Sequence, residues 1–139
     1  MSNERDATDV ALRALRHRDL PRSGLDERLA RAGVEADERR ETIERLAETG
    51  LVSDERYARE RARVLAERGA GDDAIRGDLR RHGVERDLAD SAVEELEPEP
   101  ERASRVFARR GGGEQALRYL ARKGFGREAL EGLEPDSLH

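Results

Sequence analysis

Leucine, three further residues, glycine and an apolar residue recur in that order three times along the chain. The copies are Leu29-Ala30-Arg31-Ala32-Gly33-Val34, Leu79-Arg80-Arg81-His82-Gly83-Val84 and Leu120-Ala121-Arg122-Lys123-Gly124-Phe125. A glycine just past a helix takes the left-handed conformation that ends it, and the residue after it folds back on the residue five earlier. The pattern therefore predicts three helix stops. Upstream, eight residues before each glycine stand Leu25, Ile75 and Ala116; eighteen before stand Leu15, Leu65 and Val106; twenty-one before stand Leu12, Ala62 and Ala103. Downstream, Ile43 and Val93 lie ten past the glycine, and Leu46 and Leu96 thirteen past it, while the third copy has only Leu130 and Leu133. The glycines are 50 and 41 residues apart, a spacing typical of helical repeat arrays. The expectation is an all-α fold of three tandem three-helix modules, residues 7–50, 51–97 and 100–134, forming an elongated, curved helical array.

The same periodicity predicts helices over 7–18, 23–32, 37–48, 54–68, 86–97, 101–110, 114–123 and 127–133, with another opening at Asp72 or Asp73. Residues 1–6 are polar and expected to fray. Val10, Leu12 and Leu15 are expected on the inner side of the first helix. Tyr57, Ala58, Ala62 and Leu65 share one face of the fourth. Ser23 is the expected cap of the second helix and Ser53 of the fourth. Pro98 and Pro100 bracket the entry to the third module. No strand pattern competes.

Composition sharpens this picture. With 42% charged and 3% aromatic residues, one large core is excluded, and thin leucine and alanine stripes in small modules fit better. There is no cysteine, which excludes disulfides and thiolate metal sites. No apolar run approaches a membrane span or signal segment, so a cytoplasmic protein is expected. The net charge of −5 argues against a general polyanion binder. Its distribution is uneven, however. Residues 1–53 sum to −2 and residues 54–96 to −3, whereas residues 101–127 hold eight basic groups against Glu101 and Glu114, giving +6. The third module is expected to present a basic face.

Catalytic chemistry has no evident seat. His17 and His82 stand near predicted helix ends, where a cation suits the dipole, and His139 is terminal. No serine lies in a nucleophile-elbow pattern. Gly111-Gly112-Gly113 lacks the Gly-Lys-Ser/Thr that would follow in a phosphate loop, so it reads as a helix break. The expectation is a protein that is not an enzyme and holds no cofactor or metal. Two binding classes remain: a helix-turn-helix-type direct DNA-binding protein, and an interaction protein offering a concave helical surface.

From Gly50 onward the chain resembles a family. The run Gly50-Leu51-Val52-Ser53-Asp54-Glu55-Arg56-Tyr57-Ala58 is similar to the hallmark of the RecX recombination regulators. The resemblance continues through Gly69, Gly71, Ile75, Leu79 and His82-Gly83-Val84, and closes with Tyr119-Leu120-Ala121-Arg122-Lys123-Gly124-Phe125. Ala11, Leu12, Leu15, Arg18, Ser23, Leu25 and Leu29 resemble the family's opening, so about residues 11–133 are covered. Asp26, Ser53, Asp72 and Ala74 depart from the family's usual residues. The resemblance implies a monomeric cytoplasmic regulator acting in DNA repair, homologous recombination and the SOS response. Such a protein binds the RecA nucleoprotein filament, with single-stranded DNA inside it as a further contact. It inhibits recombinase, ATPase and coprotease activity.

The leading partner-binding candidates are Arg105, Arg109, Arg110, Arg118, Arg122 and Lys123 on the basic face. Arg76, Arg80 and Arg81 come next, followed by Arg56 and Tyr57 at the start of the fourth helix. Arg68 shares with Arg18 and Arg109 the position fifteen before the glycine. For each arginine the plain alternative is a solvated helix face or dipole compensation; for Tyr57 it is packing. Phe107 and Phe125 are expected in the core of the third module.

Overall fold

The structure is a computed structural model describing residues 4–133. Residues 1–3 and 134–139, which include His139 and the last position of the expected third module, lie outside the described residues. Among the described residues there are nine α-helices and no strand. They are α1 (Glu4–His17), α2 (Arg22–Arg31), α3 (Ala36–Glu48), α4 (Asp54–Glu67), α5 (Asp72–Arg81), α6 (Arg86–Glu94), α7 (Glu99–Arg109), α8 (Glu114–Arg122) and α9 (Arg127–Glu131).

The glycine frames end helices as their spacing predicts. Gly33, Gly83 and Gly124 have φ of +87°, +85° and +91°. After α2 the Val34 amide donates to the Leu29 carbonyl at 3.0 Å, and after α8 the Phe125 amide donates to Leu120 at 3.1 Å. These fold-back bonds satisfy carbonyls that a helix end leaves open. Leu25, Leu29, Ile75, Leu79 and Leu120 are completely buried. Each such side chain contributes about 1.5–3 kcal/mol of hydrophobic stabilisation. Ser53 caps α4 through a 3.1 Å bond from the Arg56 amide to its hydroxyl.

By internal contact the chain divides into two compact units, residues 1–57 with 82–84 and residues 58–81 with 85–139. In the first, α1, α2 and α3 pack on one another around Ala7, Ala11, Leu25, Leu29, Ile43 and Leu46. In the second, α5 packs on α6, and α7 packs on α8 and α9. There Ala103, Val106, Leu120, Phe125 and Ala129 form a core, with Phe107 and Tyr119 against it.

Several expectations are corrected. α1 begins at Glu4, inside the stretch expected to fray. Its buried stripe is Ala7, Ala11 and Ala14; Val10 and Leu15 are only half-buried, and Leu12 is 37% exposed. The gapless upstream register therefore slips by one residue in the first copy. The stripe of three alanines sets the buried face there, and Leu12, the next residue after Ala11, points some 100° away. Ser23 does not cap α2: it lies within the helix, and its hydroxyl donates to the His82 carbonyl at 2.6 Å. α6 stops at Glu94 instead of 97, and α9 at Glu131 instead of 133. α7 opens at Glu99 with Pro100 inside its first turn, where a missing amide proton costs nothing.

Candidate functional site

The third group of helices sorts its basic residues by where the helical period sends them. α7 buries Arg102, Ala103 and Val106, which leaves Arg105 and Arg109 on the solvent side. α8 buries Ala116 and Leu120, which leaves Arg118 and Arg122 exposed. The basic stretch therefore contains both structural and free cations.

Arg102 is structural. Its guanidinium donates to Asp72 Oδ1 at 2.8 Å, to the Ala70 carbonyl at 2.9 Å and to the Glu97 carbonyl at 3.2 Å, and it lies 5.8 Å from the Phe125 ring centroid. A buried guanidinium is tolerated only when paired and hydrogen-bonded. Nearby, Glu99 Oε2 accepts from the Asp72 amide at 2.7 Å and the Gly126 amide at 3.2 Å, capping the starts of α5 and α9 together. Arg105 is exposed but compensated. It donates to Glu97 Oε2 at 2.6 Å, and that hydrogen bond holds the Glu97 carboxyl below the usual glutamate range. Glu97 lies just before the window whose charge summed to +6, which is why the sequence count did not reveal the pairing.

The cations that remain converge on Tyr119. The Arg110 guanidinium lies 3.5 Å from the centre of the Tyr119 ring, a stacked cation–π geometry. Arg110, Gln115, Ala116, Arg118, Tyr119 and Arg122 line an open cleft of about 290 Å³, and no carboxylate is among them. A hydrogen bond from Arg110, followed by the positive fields of Arg110, Lys123 and Arg122, pulls the Tyr119 hydroxyl below its ordinary pKa against the opposing effect of burial. Arg109, Arg118 and Arg122 make no ion pair among the described residues. Planar guanidinium groups, an aromatic face and an amide side chain suit an acidic or phosphate-bearing surface.

The other candidates fall elsewhere. Lys123 is half-buried, and its carbonyl accepts from the Gly71 amide at 2.8 Å. Arg76 pairs with Asp90 at 3.0 Å and with Asp73 at 3.5 Å. Arg80 and Arg81 are exposed in the last turn of α5, and Arg68 is exposed just past α4. Arg56 belongs to the first unit, where it grips both carboxylate oxygens of Asp19 at 3.2 Å and the Gly50 carbonyl at 2.8 Å. The bond to Asp19 raises its pKa, so its immediate role is to hold α4 to the α1–α2 link. Tyr57 is half-buried, its ring 6.3 Å from that of His82. The structure thus brings Arg110, Arg118 and Arg122 together around Tyr119, a tyrosine the sequence had offered only as part of a closing motif. Phe125 is buried and Phe107 packs on the same core, as expected.

Comparison with known proteins gives a consistent result. A family profile described as RecX, second three-helix domain, matches residues 53–93. A regulatory protein RecX of Mycolicibacterium smegmatis is 32% identical over 139 residues, covering 99% of this chain and 67% of that protein. One of Syntrophotalea carbinolica is 38% identical over 100 residues, covering 71% of this chain and 65% of that protein. The chain thus spans about two thirds of the length of the curated relatives it matches. The crystal structure of RecX from Lactobacillus salivarius superposes with a TM-score of 0.81 at 19% identity, covering 93% of this chain and 92% of that one, a likeness of fold.

Proposed function

Since this chain belongs to the RecX family, we propose that it is a regulatory protein that binds the RecA recombinase on its DNA filament and inhibits recombinase, ATPase and coprotease activity. Supporting this reading is one observation above the rest. The acidic chain carries an acid-free cleft where Arg110, Arg118 and Arg122 surround Tyr119. A filament of protein on nucleic acid offers the negative counterpart, and attraction to it weakens with salt. Inhibition needs no reaction step by this chain, because occupancy of the filament is the effect.

The deciding experiment titrates this protein into RecA on single-stranded DNA and follows ATP hydrolysis and strand exchange. Depression of both at substoichiometric protein is expected. Tight binding to duplex DNA at physiological salt without RecA, combined with no effect on RecA, would replace this reading with a helix-turn-helix-type DNA-binding protein.

A further inference from the structure

The positive charge around Tyr119 is gathered at one point and does not run on as a track. The cleft holds about 290 Å³, in which the guanidiniums of Arg110, Arg118 and Arg122 meet the Gln115 amide. Further back along α7 the cations are committed, Arg105 to Glu97 at 2.6 Å and Arg102 to Asp72 at 2.8 Å. Arg118 and Arg122 stand four residues apart on α8, about 6 Å along the helix. Arg110 joins them from the turn just past α7.

The aromatic face is committed as well. The Arg110 guanidinium covers the Tyr119 ring at 3.5 Å, and the same ring packs against the core that Ala103, Val106 and Leu120 form. A protein that tracks a single strand needs a continuous basic groove and bare rings on which successive bases stack. Among the described residues this cleft has neither. An acidic side chain uses little of it, because one carboxylate offers two oxygens and a single charge, which one guanidinium fork satisfies. Three forks in so small a volume match a group with more oxygens and more charge. A chain of two or three linked phosphates has both, and it spans the separation of Arg118 and Arg122.

We propose, resting on the reading of this chain as a filament-binding regulator, that the Tyr119 cleft is an effector site for a compact phosphate chain free in solution, which excludes the filament while bound. Inorganic polyphosphate and nucleoside triphosphates share that chemistry. Arg118 and Arg122 hold the chain by N–H···O bonds, Arg110 adds its fork while stacked on Tyr119, and the Gln115 amide donates to a further oxygen. The bound anion opposes the positive field that favours the Tyr119 phenolate, so occupancy is read in the absorbance of one phenol. Inhibition is then relieved when the phosphate compound is abundant.

The test uses the whole chain with Tyr57→Phe, which leaves Tyr119 as its one phenol. Sodium tripolyphosphate replaces sodium chloride at constant ionic strength, just below the ordinary tyrosine value of 10.0, and tyrosinate absorbance is followed. A saturating fall is expected. It is lost with Arg118→Ala and Arg122→Ala together, and kept with Arg13→Ala and Arg16→Ala, which remove equal charge from the exposed side of α1. All four positions are in solvent, so melting temperatures hold. Adenosine triphosphate binding more tightly than tripolyphosphate assigns the site to nucleotides, and equal binding assigns it to the phosphate chain alone; each supports the proposal. No saturating change, an equal change in the Arg118 and Arg122 variant, or an equal change with sodium citrate overturns it. This arm contains no RecA, so it stands apart from the filament reading. In a second arm the parent is bound to RecA on single-stranded DNA at fixed nucleotide and free magnesium. Tripolyphosphate at about ten times its Kd is expected to weaken attachment about tenfold by mass action. Unchanged attachment at that occupancy overturns the exclusion, whereas a ligand-free protein that never attaches overturns the filament reading instead.

Discussion

The amide of Gly71 donates to the carbonyl of Lys123 at 2.8 Å, bringing the loop before α5 directly onto the turn that ends α8. A side chain at Gly71 would overlap the backbone of Gly124 and Phe125, and one at Gly124 the backbone of Ala74. Gly71→Ala is therefore expected to cost about 1–3 kcal/mol through overpacking. Gly124→Ala adds about 1–2 kcal/mol for forcing an L side chain into the left-handed region. Gly33→Ala carries only that conformational cost, because nothing lies near it. Urea denaturation should rank the variants Gly33→Ala, the mildest, then Gly71→Ala, then Gly124→Ala.

Arg102 and Arg105 stand three residues apart on α7 and should behave oppositely. Arg102→Ala strips a buried partner from Asp72 and a donor from each of the Ala70 and Glu97 carbonyls, and is expected to cost about 3 kcal/mol. Arg105→Ala should move the unfolding midpoint far less than Arg102→Ala does, since its pair with Glu97 is in solvent. Its effect is instead on Glu97. The carboxyl, held low by Arg105, should return to the usual glutamate range in an NMR pH titration. Because the folded pKa is depressed, the stabilising contribution is present above the ordinary glutamate value and lost as pH falls through the folded one. Arg105→Ala should flatten that acid limb of the stability profile.

Tyr119 should ionise below the ordinary tyrosine range. Ultraviolet titration is expected to show one phenol with a midpoint below the ordinary tyrosine value of 10.0, restored by Arg110→Ala. The depressed value favours tyrosinate in the folded state, so this stabilisation appears as pH rises through the folded pKa and is complete above the ordinary one. At neutral pH it contributes nothing, and Arg110→Ala is felt there through the lost stacking contact alone.

For RecA binding, the combination Arg110→Ala, Arg118→Ala and Arg122→Ala is expected to weaken attachment to the filament at least tenfold and to reduce its salt dependence, with helicity and melting temperature held. Arg105→Ala serves as the matched control, because its charge is already met by Glu97. Filament binding by the triple variant equal to that of the parent would remove the cleft as the contact and turn the search to the α4 start around Tyr57.

Much of the backbone was legible without coordinates. Helix breaks at Gly33, Gly50, Gly69, Gly83, Gly111 and Gly124 follow from the left-handed conformation that glycine adopts freely, and all six have positive φ. The caps at Ser53 and the burial of Leu29, Leu79 and Leu120 follow from local hydrogen bonding and from the 3.6-residue period. The buried side of α1 was misjudged because leucine and valine outweigh alanine in any hydrophobic pattern. A stripe of three alanines nonetheless lets helices approach more closely than Leu12 would allow.

What the chain determined by itself, then, is where its helices stop and which leucines go inside, since both depend on residues within one or two turns of one another. Which cations remain free was decided only by the tertiary structure. Arg102 and Arg105 look alike with Arg109 on a helical projection, yet one is spent on Asp72, thirty residues away, and the other on Glu97. Tyr119 became the centre of the candidate site through the stacking of Arg110, nine residues distant in the turn just past α7. The glycine frames likewise carry two meanings. Their role as helix stops is local, but that Gly83 and Gly124 also admit a helix start to within contact, while Gly33 does not, arises from the packing of distant segments.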